Sequence, residues 1–208
     1  MVGQYFIWSY IVAIIVNKEQ KKRDIALSCK ELILNNGINN LTVSQVAKAA
    51  GIGKGTIYEY FANKDEIVFE LVNILMLKHS EKLKSKLDKQ KSTKEKIREF
   101  SKFFYDKEEK NLRTLYKEFV SLSLLSPKSE MIEFHTKCVK NYYSWFIEIL
   151  QNGVDNDELI PEALSLAKGL FVVGDGMFIQ NTVTGIEENV KEDLDTFIDT
   201  IFILMEKK

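Results

Sequence analysis
Gly51-Ile52-Gly53 separates two short helical stripes, and few folds accommodate that arrangement. On its upstream side, Thr42 followed by Gln45 is a capping box, in which a hydroxyl and an amide satisfy orphan N–H groups at a helix start. Val43, Val46, Ala47 and Ala50 then recur at i, i+3, i+4 and i+7, a narrow apolar face. Gly51 takes positive φ at little cost and ends that helix. Gly53 opens the next, in which Ile57 and Phe61 point inward while Lys54, Gly55, Thr56, Tyr58 and Tyr60 are left outside with one carboxylate, Glu59. A short helix, a glycine turn and a second helix with such an outer face is the helix-turn-helix arrangement that reads the DNA major groove.

Two prolines in 208 residues, with abundant Leu, Ile, Lys and Glu, predict an all-α chain. The net charge of −1 looks wrong for a DNA binder until it is divided. Residues 18–64 hold eight cations against four anions, a net +4, which leaves −5 for the rest. A basic head on an acidic body suits a protein that touches phosphate at one end only. Cys29 and Cys138 are far apart in helical patterns, so neither a disulfide framework nor a structural metal is expected. Catalysis is not expected either. His79 and His135 are the only histidines, no GxSxG or HExxH occurs, and Gly51-Ile52-Gly53-Lys54-Gly55 lacks the phosphate-loop spacing. No cofactor is implied.

Taken in order, residues 1–16 are apolar, short of the ~20 residues that span a bilayer, and without the features of a signal peptide. They are read as a misassigned start or an extension, with a membrane anchor as the alternative. A first helix is predicted over residues 19–36, stopped by Gly37, and the lysine-rich run at 18–23 precedes it. Asn63 with Glu66 caps a long helix over residues 64–87, and Ser92 with Glu95 caps another that reaches about residue 106. Further helices are expected over residues 110–125 and 129–152, from Pro161 onward, and from Asn189 onward. The helix after Pro161 is apolar on two sides and therefore needs two partners, its own core and a second subunit. Gly174 and Gly176 would let another backbone approach it.

From Thr42 to Lys64, the residues Ala47, Ala50-Gly51, Gly55-Thr56, Tyr58, Tyr60-Phe61 and Lys64 give the chain a family likeness. The stretch resembles the N-terminal motif of the TetR family of bacterial transcriptional regulators, over residues 24–71. Beyond it, only helical layout and length are similar to the family. The resemblance implies a three-helix DNA-binding head (residues 18–64) and a larger helical body (residues 65–208) that binds an effector and dimerises. It also implies that displacement of the helix over residues 64–87 carries ligand information to the head, that the last two helices form a four-helix dimer seam, and that ligand relieves repression.

The residues themselves suggest the roles. Lys54, Gly55 and Thr56 occupy the front of the second helix, where lysine can donate to guanine O6 and N7 and threonine's methyl suits thymine. Tyr58 and Tyr60 would hold phosphates, as would Thr42, Ser44 and Lys64 at two other helix starts. In the body, Phe103, Tyr116, His135, Tyr142, Trp145, Asp175 and Phe178 are the candidate effector pocket, suited to a bulky, mostly apolar molecule with a donor or cationic group. Leu166, Leu170, Val173, Met177, Phe197 and Ile201 are the candidate dimer interface. The expected partners are double-stranded DNA, a small-molecule effector and a second copy of the chain, in the cytoplasm. The rival readings are a regulator tethered to a membrane through residues 1–16 and a nonspecific DNA-binding protein.

Overall fold
In the computed structural model the described residues are 17–125, 128–184 and 189–208; the expectations for residues 1–16 lie outside them. The chain divides into two compact units, up to Lys78 and from His79 to Lys208, with the division falling inside one long helix.

The first unit holds α1 (residues 17–28), α2 (Lys30–Asn36), α3 (Val43–Ala50), α4 (Lys54–Ile57) and the start of α5 (Lys64–Leu87). The single helix predicted over residues 19–36 is thus two. At Cys29 the backbone turns to φ −92°, ψ 0° and its N–H reaches Ala26 O at 3.3 Å, a tighter i→i+3 bond that interrupts the α ladder. Ile25, Ala26, Cys29 and Ile33 still share the core with Val46, Ala47, Ile57 and Phe61, so the break leaves the apolar face intact. Burial pushes the Cys29 thiol up to about 12, which makes it an inert packing residue.

The capping box of α3 forms as expected: Gln45 N–H donates to Thr42 Oγ1 at 3.2 Å and Thr42 N–H donates to Gln45 Oε1 at 2.9 Å. Its C-terminus closes with Gly51 N–H on Lys48 O at 3.3 Å and Ile52 N–H on Ala47 O at 3.0 Å, the two bonds of a Schellman motif around a left-handed residue at φ +66°. No atom lies within 4 Å of a Cβ built on Gly51 or on Gly55, yet only Gly51 has positive φ. Gly51→Ala is therefore expected to destabilise the head by about 1–2 kcal/mol through backbone strain alone. Gly55→Ala, inside a helix, is expected to be neutral or stabilising by up to about 1 kcal/mol. Urea denaturation of the two variants checks the opposite signs.

The second unit continues α5 and adds α6 (Thr93–Ser101), 3-10 turns at Lys102–Phe104 and Lys107–Glu109, α7 (Lys110–Leu125), α8 (Ser129–Asp155), α9 (Ala163–Thr184) and α10 (Val190–Met205). Its core gathers Leu83, Leu87, Ile97, Phe146, Leu150, Leu159, Ala167, Leu170, Ile198 and Phe202. The helix predicted to reach residue 106 stops at Ser101. Past that point Arg113 on α7 holds the 3-10 segment, its guanidinium donating to Phe103 O at 2.8 Å and Asp106 O at 2.6 Å. That turn swings Phe104 onto α9, where a Cβ at Gly174 would sit 2.2 Å from Phe104 Cε2. The space at Gly174 is therefore filled by a ring of its own chain and not by another backbone, which corrects the expectation. Around Gly176 no atom lies within 4 Å of an added Cβ.

The α8–α9 loop is tied to the end of α10 by Ile160 N–H on Met205 O at 2.8 Å and Lys207 N–H on Glu158 O at 3.1 Å. Glu158 also caps α6, accepting from Thr93 N–H at 2.7 Å. Among the described residues α9 is the one helix long and apolar enough to cross a membrane, and its Ala163, Ala167, Leu170 and Gly174 are buried in the body.

Candidate functional site
Two places hold the residues nominated from the sequence, one in each unit. In the head, Lys54 and Gly55 are exposed, Thr56 is half-buried and Ile57 is buried. Only four residues form α4. Beyond it the chain winds on with Tyr58 N–H on Gly55 O at 3.1 Å, Glu59 N–H on Thr56 O at 3.2 Å and Phe61 N–H on Ile57 O at 3.0 Å. The outward edge is thus little more than one turn, held from beneath by Ile57 and Phe61, both 1% exposed. Tyr58 is 52% exposed and Tyr60 half-buried. Among the described residues the Lys54 ammonium has no hydrogen-bond or ion-pair partner, so nothing in the fold competes for it. Lys64 is engaged, donating to Asn39 O at 3.1 Å. Thr42 spends its hydroxyl on the α3 cap, and Ser44 beside it is exposed. Of the basic run before α2, Lys22 lies over the Phe61 ring, 5.4 Å from its centroid.

In the body, all seven nominated pocket residues fall into two clusters that share Phe103. The first surrounds Asp175: Tyr116 donates its hydroxyl to Asp175 Oδ1 at 3.0 Å, with His135 at 6.1 Å and Phe178 at 6.0 Å from the Tyr116 ring. Phe103 stands edge-on to Tyr116 at 5.7 Å. The second surrounds Tyr142, whose hydroxyl lies at hydrogen-bond distance from His79 Nδ1 (2.9 Å) and Ser80 Oγ (3.1 Å) and whose ring centroid is 5.6 Å from that of Trp145. Phe103 touches His79 as well, at 5.6 Å, and so bridges the two clusters.

Sequence reasoning missed His79, Ser80 and Phe104. A signal existed for His79, since it falls four residues after Leu75 and four before Leu83 on an apolar stripe. His79 Nε2 faces Glu109 at 3.7 Å; the tautomer with its proton there leaves Nδ1 to accept from the Tyr142 hydroxyl. Beyond it, Lys82 bonds Glu108 and Glu109 at 2.8 and 3.0 Å, and buried Glu99 takes Lys102 at 2.6 Å, so the cationic groups of this cleft are neutralised within the fold.

Burial lowers the pKa of His79 against the opposing pull of Glu109, and lowers that of His135 against Asp175. Both imidazoles are thus buried neutral, and protonation favours the unfolded chain. Their contribution is fully present above the ordinary histidine value of 6.5 and is lost as pH falls below it. Urea midpoints measured at pH 7.5 and 5.5 are expected to be lower at the acid end, and His79→Gln should flatten that difference.

The nominated interface residues are scattered in burial. Leu166 is 43% exposed, Val173, Met177, Phe197 and Ile201 are half-buried, and Leu170 belongs to the body's own core. Further apolar surface on α10 comes from Ile203 and Leu204, 68% and 67% exposed.

Comparison with known proteins places this geometry in context. Residues 29–71 match the family described as "Bacterial regulatory proteins, tetR family". The chain is 26% identical over 193 residues to the Fatty acid metabolism regulator protein of Bacillus subtilis, covering 90% of this chain and 95% of that protein. The structure of the transcriptional regulator FadR from Bacillus subtilis in complex with stearoyl-CoA is 25% identical, with a TM-score of 0.65 over 86% of this chain and 96% of that one. A TetR-family regulator from Cytophaga hutchinsonii shares the fold at a TM-score of 0.77, with 13% identity, over 92% of this chain and 98% of that one.

Proposed function
We propose, for a chain that belongs to the TetR family of bacterial transcriptional regulators, that it represses transcription as a homodimer and leaves a palindromic operator when a small, mostly apolar effector enters the body. The chain is a ligand-responsive DNA-binding regulator; the dimer, the operator's symmetry and the effector's class are our reading. One observation carries it: the Lys54-Gly55-Thr56 edge stands outside the fold, with an unengaged ammonium, on a turn anchored by two buried side chains. One such head reads few base pairs, and a two-fold dimer supplies the missing discrimination.

Lys54 and Thr56 meet base edges, Tyr58, Tyr60, Thr42 and Ser44 meet phosphates, and Lys64, whose ammonium already bonds Asn39, acts mainly to brace the start of α5. Apolar surface on α9 and α10 forms the subunit seam. The ring clusters around Tyr116 and Tyr142 accept the effector, a reading supported by the stearoyl-CoA held by the Bacillus subtilis relative. Coupling of about 1–3 kcal/mol per site is enough to weaken DNA binding 5- to 150-fold. Such a regulator works in the cytoplasm, and neither catalysis nor a cofactor enters its cycle.

The test is a footprint on DNA upstream of the gene with purified full-length protein, repeated with stearoyl-CoA and a panel of hydrophobic compounds. Protection of a symmetric site that one of these relieves is expected. Equal affinity for random DNA would leave a nonspecific binder in place of a regulator.

A further inference from the structure
The long helix α5 belongs to both units, and its body half begins in a knot of hydrogen bonds. His79 and Ser80 are its first two residues beyond the division. Both meet one group on α8: the Tyr142 hydroxyl lies 2.9 Å from His79 Nδ1 and 3.1 Å from Ser80 Oγ. On the other side of the imidazole, Nε2 faces Glu109 of the second 3-10 turn at 3.7 Å, and Phe103 of the first turn stands edge-on at 5.6 Å. One side chain, 9% exposed, therefore ties α5 to two other elements.

The direction of those bonds depends on one proton. With His79 neutral and protonated at Nε2, Nδ1 accepts from Tyr142, whose oxygen can in turn accept from Ser80. A further proton goes to Nδ1, which can then only donate. Tyr142 has to turn its hydroxyl away, and a full charge is left in a site shielded from water.

The surrounding charges oppose one another. Glu109 attracts a proton to the imidazole, while Lys82 and Lys86, three and seven residues further along α5, repel it. Lys82 already bonds Glu108 and Glu109 at 2.8 and 3.0 Å, so the nearest carboxylate is shared with an ammonium. Glu99 on α6 pairs with Lys86 at 3.6 Å and Lys102 at 2.6 Å, and Asp106 accepts from Glu108 N–H at 3.0 Å. On α8, Tyr142 and Cys138 are both kept uncharged by burial. Desolvation outweighs the pull of Glu109, and the pKa of His79 is lowered. An opened site with the ordinary value of 6.5 thus binds the proton better than the closed one, and acid favours opening.

We propose that the bonds of Tyr142 to His79 and Ser80 form a proton-operated catch on α5, closed while His79 is neutral, and that acidification opens it and loosens the head from its operator. This rests on the reading of the chain as a DNA-binding regulator and adds the proton to its inputs, whatever the effector is. Because α5 is one continuous helix, freedom gained at residues 79 and 80 reaches the segment that it shares with the head. One proton taken up only by the open form moves the equilibrium by up to about tenfold at pH 5.5.

Fluorescence anisotropy of the full-length protein on the duplex protected in footprinting, at constant ionic strength, tests this. Affinity is expected to be about three- to tenfold weaker at pH 5.5 than at pH 7.5. The direction is diagnostic, since added positive charge alone tightens binding to phosphate, and residues 1–78 contain no histidine. His79→Asn places an amide oxygen near the position of Nδ1 and does not titrate, so it is expected to remove the acid response. Tyr142→Phe is expected to be weaker already at pH 7.5, with little further loss in acid. Hydrogen exchange over residues 79–87, corrected for intrinsic rates, reads the catch without DNA and is expected to quicken at pH 5.5 in the parent and not in His79→Asn. Equal affinity and equal exchange at the two pH values overturn the proposal, as does a His79→Asn protein that keeps the parent's acid response. Exchange that quickens while operator affinity holds overturns the link to DNA. The absence of any preferred duplex at pH 7.5 counts instead against the regulator reading, before the pH is changed.

Discussion

Phe61→Ala is expected to silence DNA binding while leaving the body folded. Phe61 is 1% exposed, lies among the residues that hold α4 from beneath, and carries the Lys22 ammonium on its ring. Truncating a buried phenylalanine costs about 3–5 kcal/mol. A head built from four short helices and the start of α5 has little stability to spare, since whole domains keep only about 5–15 kcal/mol. None of the body's core residues comes from before Leu83, so that core is not deprived of a member. Urea unfolding should therefore separate into an early step and a late one, with the early step bringing loss of operator binding and the late step unchanged from the parent protein. A single transition shifted as a whole would show that the two units unfold as one.

Lys54→Ala is the second large effect, and it acts on DNA alone. The side chain is exposed and without partners among the described residues, so folding should be untouched. A good base contact is worth about 1–3 kcal/mol, or about 5- to 150-fold in affinity. Both subunits of a dimer lose it, so the losses multiply to about 25-fold at the least. Fluorescence anisotropy on operator and scrambled DNA measures the loss and tells which contact was removed. If Lys54 reads a base, the operator suffers and the scrambled duplex does not; a phosphate contact weakens both and shallows the salt dependence. Affinity within twofold of the parent on both would move the reading edge elsewhere.

Much of the helix capping in both units is written locally. Thr42 with Gln45, Ser92 with Glu95 and Asn63 with Glu66 all cap as their spacing implies, because such bonds close within four residues. The Gly51 turn is equally local. The break at Cys29 is not, because Ile25, Ala26, Cys29 and Ile33 keep helical spacing across it and periodicity cannot register a single tightened bond. The early end of α6 is hidden for a different reason. Phe100, Phe103 and Phe104 continue a plausible stripe, and the side chain that holds the 3-10 segment after it, Arg113, comes from α7.

The body's chemistry was partly legible. His135 and Asp175 stand out as polar residues on apolar faces, and the structure brings both to Tyr116. Their partners do not stand out, since which ring meets which depends on how four helices cross. Gly174 makes the same point from the other direction. A helical glycine among large apolar residues announces that something must come close, but composition cannot say what.

Phe104 and Gly174 are consequently bound into one evolutionary unit. Even a methyl group at position 174 would enter the space of the Phe104 ring, so the two positions cannot drift independently. The permitted order is for the ring to shrink first, leaving a gap, and for the glycine to gain a side chain afterwards. Lineages of this regulator that carry alanine or larger at position 174 are expected to carry something smaller than phenylalanine at position 104, and grafting either change alone into this chain should be the less fit intermediate.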